Sequence, residues 1–424
     1  MAEIKPFKAL RFDTEKAGSI DELVCPPYDI ISDEQRQNYL AKNHNNIIRL
    51  ELPKGDEPYK TAGEVLKKWI DSGILKKDED DGIYIYEEEF SINGIHTKFK
   101  GCIVRVKIEE FSKGVVLPHE ETLSKAKEDR FNLMKATNCN FSQIYSLYMD
   151  SEHKIIDRLD KLSGCRPETE LTDGDGVTHR LWIVTDKDEI GAICRDFEDK
   201  KLYIADGHHR YETALNYRNY CYEIGIGDGG EDYVMMMLVD MEHDGLVVLP
   251  THRLVRDLES FDKDKILNDC KEYFSVTHEG DISSAESKLK EMYDDGKKAF
   301  AFYSGDDGYD LLVLKDESVI ANLLPEKSKA SQNLDVTVLH TLILEEIFGI
   351  DAENMAKQIN LTYTRLFDEA VEAVRTDKAQ CAFILNPTRV TEIRDVATAG
   401  EKMPQKSTYF YPKLITGLVM NKLF

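Results

Sequence analysis

The sequence is poor in the features that would assign it to a class at once. Its eight cysteines (25, 102, 139, 165, 194, 221, 270 and 381) include no C-x-x-C pair, which excludes a zinc ribbon and gives no disulfide framework. A reducing cytoplasm is therefore the expected setting. No run approaches about 18 uninterrupted apolar residues, and the opening MAEIKPFKALRF holds no long apolar segment. Neither a membrane span nor secretion is expected. Positive charge is scarce as well: 55 Lys and Arg stand against 79 Asp and Glu, a net charge of −24. That balance repels nucleic-acid backbones and anionic membranes, so neither is an expected partner. No internal repeat of fixed period and no low-complexity linker occurs.

Familiar catalytic signatures are missing too. Residues 225–230, GIGDGG, formally match G-x-G-x-x-G, but they follow a helical segment and precede a strand, the reverse of the dinucleotide-binding order. GEKMPQKS at 400–407 ends like a phosphate loop, yet Gln405 stands where the second glycine belongs. There is no G-x-S-x-G elbow, and His119, His208 and His209 lack the spacing of a closed zinc site.

What is present is an ordinary globular composition, 424 residues of which 42% are hydrophobic and 32% charged. Such a chain buries a sizeable core and divides into two or three domains. The pattern predicts an α+β protein with a mixed sheet: an N-terminal mixed region at 1–110, a core at 111–257, a small α+β domain at 258–330, and a C-terminal helical region at 331–424 that packs back on the core. Alternating runs meet at Asn93-Gly94, the strongest hairpin signal, and a third strand is expected from Gly101. NIIRLEL at 46–52 reads as a strand and 59–75 as a helix. A further helix is expected from Thr122 or Ser124, and a last one running to Phe424.

Chemistry gathers at Asp206, Gly207, His208, His209 and Arg210. The apolar run at 202–205 reads as a buried strand, and helical spacing begins near His208. A strand-to-helix turn aims backbone N–H groups and the helix dipole at one point, favouring an anion by roughly 0.3 to 1 kcal/mol. Singly, Asp206 reads as an N-cap, Gly207 as a turn residue and Arg210 as a solvated charge. Together at a strand end they point to a phosphate cradle with a carboxylate built in. Two further turns share this logic, Pro118-His119-Glu120-Glu121 and Pro250-Thr251-His252-Arg253. Lys406 and Lys413, among Ser407, Tyr409 and Tyr411, are candidate extra cations. Cationic turns hold phosphate oxygens while acids take a hydroxyl proton or hold magnesium, a combination that describes phosphoryl transfer.

PPYDIIS, PHEET, ADGHHRYETA, LPTHRL and MPQKSTYFYPK together resemble a widespread bacterial and archaeal family of proteins of unknown function, nearly end to end. The central part is similar to the free serine kinases of the ParB/sulfiredoxin-like superfamily. The resemblance implies a ParB/sulfiredoxin-like core and phosphorylation of L-serine, with ADP or ATP as donor and Mg2+ as cofactor. It also implies Asp206 as catalytic aspartate and Glu120 as the acid that orients the serine hydroxyl, with Glu121 one register away. Gly207, His208, His209 and Arg210 would hold nucleotide phosphates; His252, Arg253 and Lys406 are supporting cations by the shared logic of their turns, outside the resemblance. A metal-ligand set is not defined. A homo-oligomer is compatible with the sequence, and the rival reading is a nucleotide-binding regulator without turnover.

Overall fold

The structure is a computed structural model; it describes every residue except Asn93, Glu121 and Leu123, and of Ser124 and Lys125 the backbone alone. The architecture is α+β. The chain forms two compact units, one of Met1–Pro118, Thr122–Leu246 and Pro412–Phe424, the other of His119–Glu121 and Val247–Tyr411.

The first unit is built on a nine-stranded mixed sheet whose central path runs Val116–Leu117, Leu202–Asp206, Ile144–Tyr148, Tyr233–Asp240, Ile95–Lys107, Ile83–Ile92, Thr178–Val184, Thr169–Thr172. Ile4–Lys5 pairs with Ile95–Lys107 at Val106. Leu202–Asp206 is parallel to Val116–Leu117 and Tyr233–Asp240 is parallel to Ile144–Tyr148, while the remaining pairs are antiparallel. Tyr233–Asp240 is buried along its whole length, as its unbroken apolar run requires of a strand covered on both faces. Helix His208–Ile224 buries Tyr211, Ala214, Tyr217 and Cys221, a spacing of three and four that marks one helical face. These side chains join Val104, Ile144, Ile204 and Met236 in the main core. A second apolar cluster gathers Leu10, Ile48, Leu66 and Trp69 with Met420.

In the second unit a six-stranded antiparallel sheet runs Phe274–Glu279, Tyr309–Leu314, Ala299–Tyr303, Cys381–Ile384, His252–Val255, Leu361–Thr364. Val247–Leu249 pairs separately with Tyr409–Tyr411.

Several expectations are corrected. The divisions at 110 and 330 do not appear, because the first sheet takes strands from both sides of 110 and the second from both sides of 330. Residues 331–424 carry helices such as Ala352–Lys357, Phe367–Arg375 and Val390–Thr398 and also supply strands Leu361–Thr364, Cys381–Ile384 and Tyr409–Tyr411. NIIRLEL is helical at Ile48–Glu51: Asn46 Oδ1 accepts from Ile48 N at 2.9 Å, and Ile47, Ile48, Leu50 and Glu51 are buried as one helical face. Ile95–Lys107 is a single strand, with no new one starting at Gly101. The hairpin forms with Ile92 opposite Ile95 and Gly94 at φ +75; Asn93 lies outside the described residues. The charged helix is Ser124–Thr137. No helix runs to Phe424. Leu10 and Met420 exchange backbone hydrogen bonds and Asn421–Lys422 pairs with Cys139–Asn140, so the tail is satisfied as strand.

Candidate functional site

Strand Leu202–Asp206 is buried up to its last residue, Asp206, which is only partly exposed. Gly207 follows at φ +91, in the left-handed region, and is the N-cap of helix His208–Ile224. Asp206 is thus not the helix cap. Glycine is required at 207 on two counts: the backbone conformation disfavours any Cβ, and a Cβ there would lie 2.9 Å from Arg210 Nε. The first intrahelical bond runs from Tyr211 N to Gly207 O at 3.0 Å. The first turn of a helix points its backbone N–H groups toward the N-terminus, the condition that favours an anion at a helix start.

The Asp206 carboxylate is bridged by two cations. Arg210 Nη2 donates to Oδ2 at 2.7 Å and Lys413 Nζ to Oδ1 at 2.5 Å. All three side chains are largely buried, at 19, 12 and 11% exposure for Asp206, Arg210 and Lys413. Burial alone would raise the Asp206 carboxyl; Lys413 and Arg210, with His208 nearby, outweigh it and hold the group well below the usual carboxylate range. Arg210 also donates from Nη1 to Gln143 O at 2.5 Å, and Gln143 Nε2 donates to Ile415 O at 3.0 Å, pinning the chain beside Lys413. His208 is buried and His209 half-buried.

A second polar group adjoins this one. Arg130 donates from Nη1 to Glu51 O at 2.7 Å, pairs with Asp129 at 2.5 Å, and lies 3.9 Å from the Tyr28 ring. Ser142 Oγ donates to Glu51 Oε1 at 2.9 Å. Burial raises the Glu51 carboxyl, with Arg130, Arg210 and Ser142 opposing, and it pushes the Tyr28 hydroxyl up to about 12. A cavity of about 50 Å³ lies among Glu51, Arg130, Ser142 and Arg210, room for a water or a small ion and too little for a metabolite. Glu212 accepts from Thr122 Oγ1 at 2.7 Å and from Lys127 at 2.8 Å.

The other predicted residues belong to the second unit. Glu120 bridges Met403, and Lys406 N donates to its Oε1 at 3.4 Å. His119 O accepts from Met403 N at 2.7 Å and His119 Nε2 lies 3.0 Å from Thr408 Oγ1. Lys406 is exposed and has a left-handed backbone, φ +59. His252 and Arg253 are both fully buried, which corrects their reading as cations offered to a phosphate. Burial, reinforced by Arg253, lowers His252 to about 3, so that it is neutral. The Arg253 hydrogens are spent on His340 and on the carbonyls of Thr251 and Lys406. Glu121 lies outside the described residues.

A family model described as "Protein of unknown function (DUF1015)" matches residues 4–337. The chain belongs to this family. No curated protein matches it. Solved structures similar to the chain include a free serine kinase in complex with AMP, 14% identical, covering 76% of this chain and 93% of that one at a TM-score of 0.38. A conserved hypothetical protein from Pyrococcus furiosus is 16% identical, with 76% and 97% covered and a TM-score of 0.35. SbnI with a C-terminal truncation, from Staphylococcus aureus, is 12% identical, with 76% and 87% covered and a TM-score of 0.37.

For this DUF1015 chain the residues at 206–210 fit a phosphate better than a metal. Among the described residues no three His, Cys, Asp or Glu side chains are grouped to hold a metal ion, although magnesium carried on phosphates needs only one or two carboxylates. Asp206, with both oxygens committed to cations, does not fit direct magnesium ligation in this arrangement. Also among the described residues, no helix is long and apolar enough to cross a membrane. Sequence reasoning missed Glu51 and Arg130. Arg130 sits within a charged helix that reads as solvated, and the one available signal was Tyr28 in the turn-rich CPPYD segment, over which its guanidinium stacks.

Proposed function

We propose that the 206–210 turn binds a nucleotide phosphate and that the chain is a small-molecule kinase of a reducing, cytoplasmic setting. The observation that carries this reading is the Asp206 carboxylate bridged by Arg210 and Lys413 at a helix start. An incoming phosphate competes with Asp206 for Lys413. As the lysine turns to the phosphate oxygens, the carboxylate loses the partner that most depresses its proton affinity. Asp206 then accepts the proton of the acceptor hydroxyl as that oxygen bonds to phosphorus and the bond to the leaving nucleoside phosphate breaks. The base is thereby coupled to the arrival of donor. Arg210, held by Gln143 as well, stays as the brace of the turn.

Free L-serine is the acceptor to test first and ADP or ATP the donor, following the motif resemblance, which also gives Glu120 the part of orienting the hydroxyl. The test incubates the protein with L-serine, magnesium and either nucleotide and follows O-phosphoserine by phosphorus NMR. Product that disappears in Asp206→Asn and falls sharply in Glu120→Gln supports the reading. No product with either donor overturns the serine assignment.

One observation favours a second reading, a nucleotide-binding regulator. A carboxylate held well below its usual range is a weak base as it stands. Under that reading nucleotide binding, measured calorimetrically, survives Asp206→Asn, and no hydroxyl metabolite becomes phosphorylated.

A further inference from the structure

The second unit contains a buried cation without a counter-charge. Arg253, on strand His252–Val255, is 0% exposed, and among the described residues it makes no ion pair. Its guanidinium donates to His340 Nε2 at 3.2 and 3.4 Å and to the Lys406 carbonyl at 3.3 Å, lies 5.5 Å from the Tyr363 ring, and reaches the Thr251 carbonyl. Every partner is neutral. Taking a charge out of water without an opposite charge is costly, and hydrogen bonds to neutral groups recover only part of that cost. Burial accordingly lowers the guanidinium to about 10.

His340 stands on a π-helical stretch, Leu339–Glu345, a wide turn that is frequent at functional sites. Because Nε2 accepts from Arg253, the imidazole proton is assigned to Nδ1. Nδ1 makes no hydrogen bond among the described residues, although His340 is only 6% exposed. This imidazole lines a cavity of about 380 Å³ whose wall includes Thr337 and Tyr363, with Lys327 and Lys402 on the same lining. The volume falls within the range of small-molecule sites. Met355, Leu324 and Ala356 give it an apolar side, and Glu345 is its one acid, its carboxyl raised by burial beside Glu346. A donor backed by a buried cation, lysines nearby and an apolar wall together suit one chemistry.

We propose that this cavity binds a small organic carboxylate with an apolar body, its carboxylate received by His340 Nδ1–H in front of Arg253 and its hydrocarbon lying against Met355 and Ala356. The anion supplies the charge that Arg253 lacks. The site lies entirely within the second unit and is independent of the reading of residues 206–210.

The test uses the full chain and ligand-observed saturation-transfer NMR with four probes: butyrate, 3-phenylpropionate, the uncharged 3-phenylpropionamide and inorganic phosphate. The expected result is binding of 3-phenylpropionate, stronger than butyrate, with the amide and phosphate at least tenfold weaker. Ala356 is exposed on helix Ala352–Lys357, so Ala356→Trp fills the cavity without disturbing the core and should weaken 3-phenylpropionate at least tenfold. Lys327→Glu, also at an exposed position, should weaken it about threefold to tenfold and serves if the tryptophan variant does not fold. No carboxylate binding overturns the proposal, as does equal binding of the amide or undiminished binding to both variants. Phosphate binding as tight as the carboxylates overturns the assignment of an apolar body.

Discussion

Lys413→Met is the most informative single change, because it removes one of the two cations on Asp206 and leaves the other. At 4 Å and an effective dielectric of 20, two unit charges attract by about 4 kcal/mol, part of which desolvation cancels. Breaking a buried pair costs about 3 to 5 kcal/mol, and an exposed pair is worth about 0 to 1. Exposures of 11 and 19% place Lys413 and Asp206 near the buried end. A coupling of about 2 to 3 kcal/mol is expected from a double-mutant cycle of Lys413→Met with Asp206→Asn. The readout is convenient: the chain has two tryptophans, Trp69 and Trp182, both buried in the first unit. Urea unfolding followed by their emission reports that unit, and at about 2 to 3 kcal/mol/M the midpoint falls by about 1 M. The pH dependence has a definite sign. Asp206 is lowered in the fold, so its contribution is present above the unfolded carboxylate value of about 3.9 and is lost as pH falls toward the folded value. The coupling should therefore be the same at pH 7 and pH 5 and shrink only below about pH 4. A coupling under about 0.5 kcal/mol at pH 7, or one that grows in acid, refutes the bridged carboxylate.

Gly207→Ala forces a Cβ into the left-handed region and against Arg210; a loss of about 2 kcal/mol by tryptophan-monitored unfolding, with nucleotide binding weakened at least tenfold, is expected. His179 lies between Glu88 at 3.3 Å and Asp173 at 3.1 Å; burial lowers it, the two carboxylates outweigh burial, and it is raised to about 9. That contribution, roughly 3 kcal/mol, is fully present below about pH 6.5 and lost as pH rises through about 9, so first-unit stability should decline over this interval and His179→Gln should flatten the slope. All eight cysteines are free, with Cys165 exposed, Cys194 half-buried and the others buried. A thiol reagent should titrate one cysteine at once in the native protein, a second slowly, and six more only after unfolding.

Much of the 206–210 turn was legible because its signals are local. A fully apolar strand, a glycine and a helical spacing of three and four are contained within residues 202–221, and each is dictated by backbone geometry. Likewise the Ile83–Ile92 hairpin declares itself by alternation. NIIRLEL misled because Ile47, Ile48 and Leu50 suit a short strand as well as one face of a helical turn; the Asn46 hydrogen bonds to Glu22 O and Val24 O that fix it come from a distant segment. Arg253 looked like a surface cation for the same reason, since nothing local announces that His340 and Tyr363 enclose it. The division into units was hidden by sheets whose neighbouring strands are far apart in the chain.

The return of residues 412–424 to the first unit bears on how the protein is made. Lys413 is synthesised 207 residues after Asp206, which at about 5 to 20 residues per second is a delay of about 10 to 40 s. During that interval residues 202–224, Arg210 among them, are already synthesised, but the bridge on Asp206 is incomplete. Leu10 and Cys139 wait equally for their backbone partners at Met420 and Lys422. In a nascent chain released before residue 413 the Asp206 carboxylate would have Arg210 but not Lys413 as its cation, so the tail acts as a late clasp that completes the turn's electrostatics.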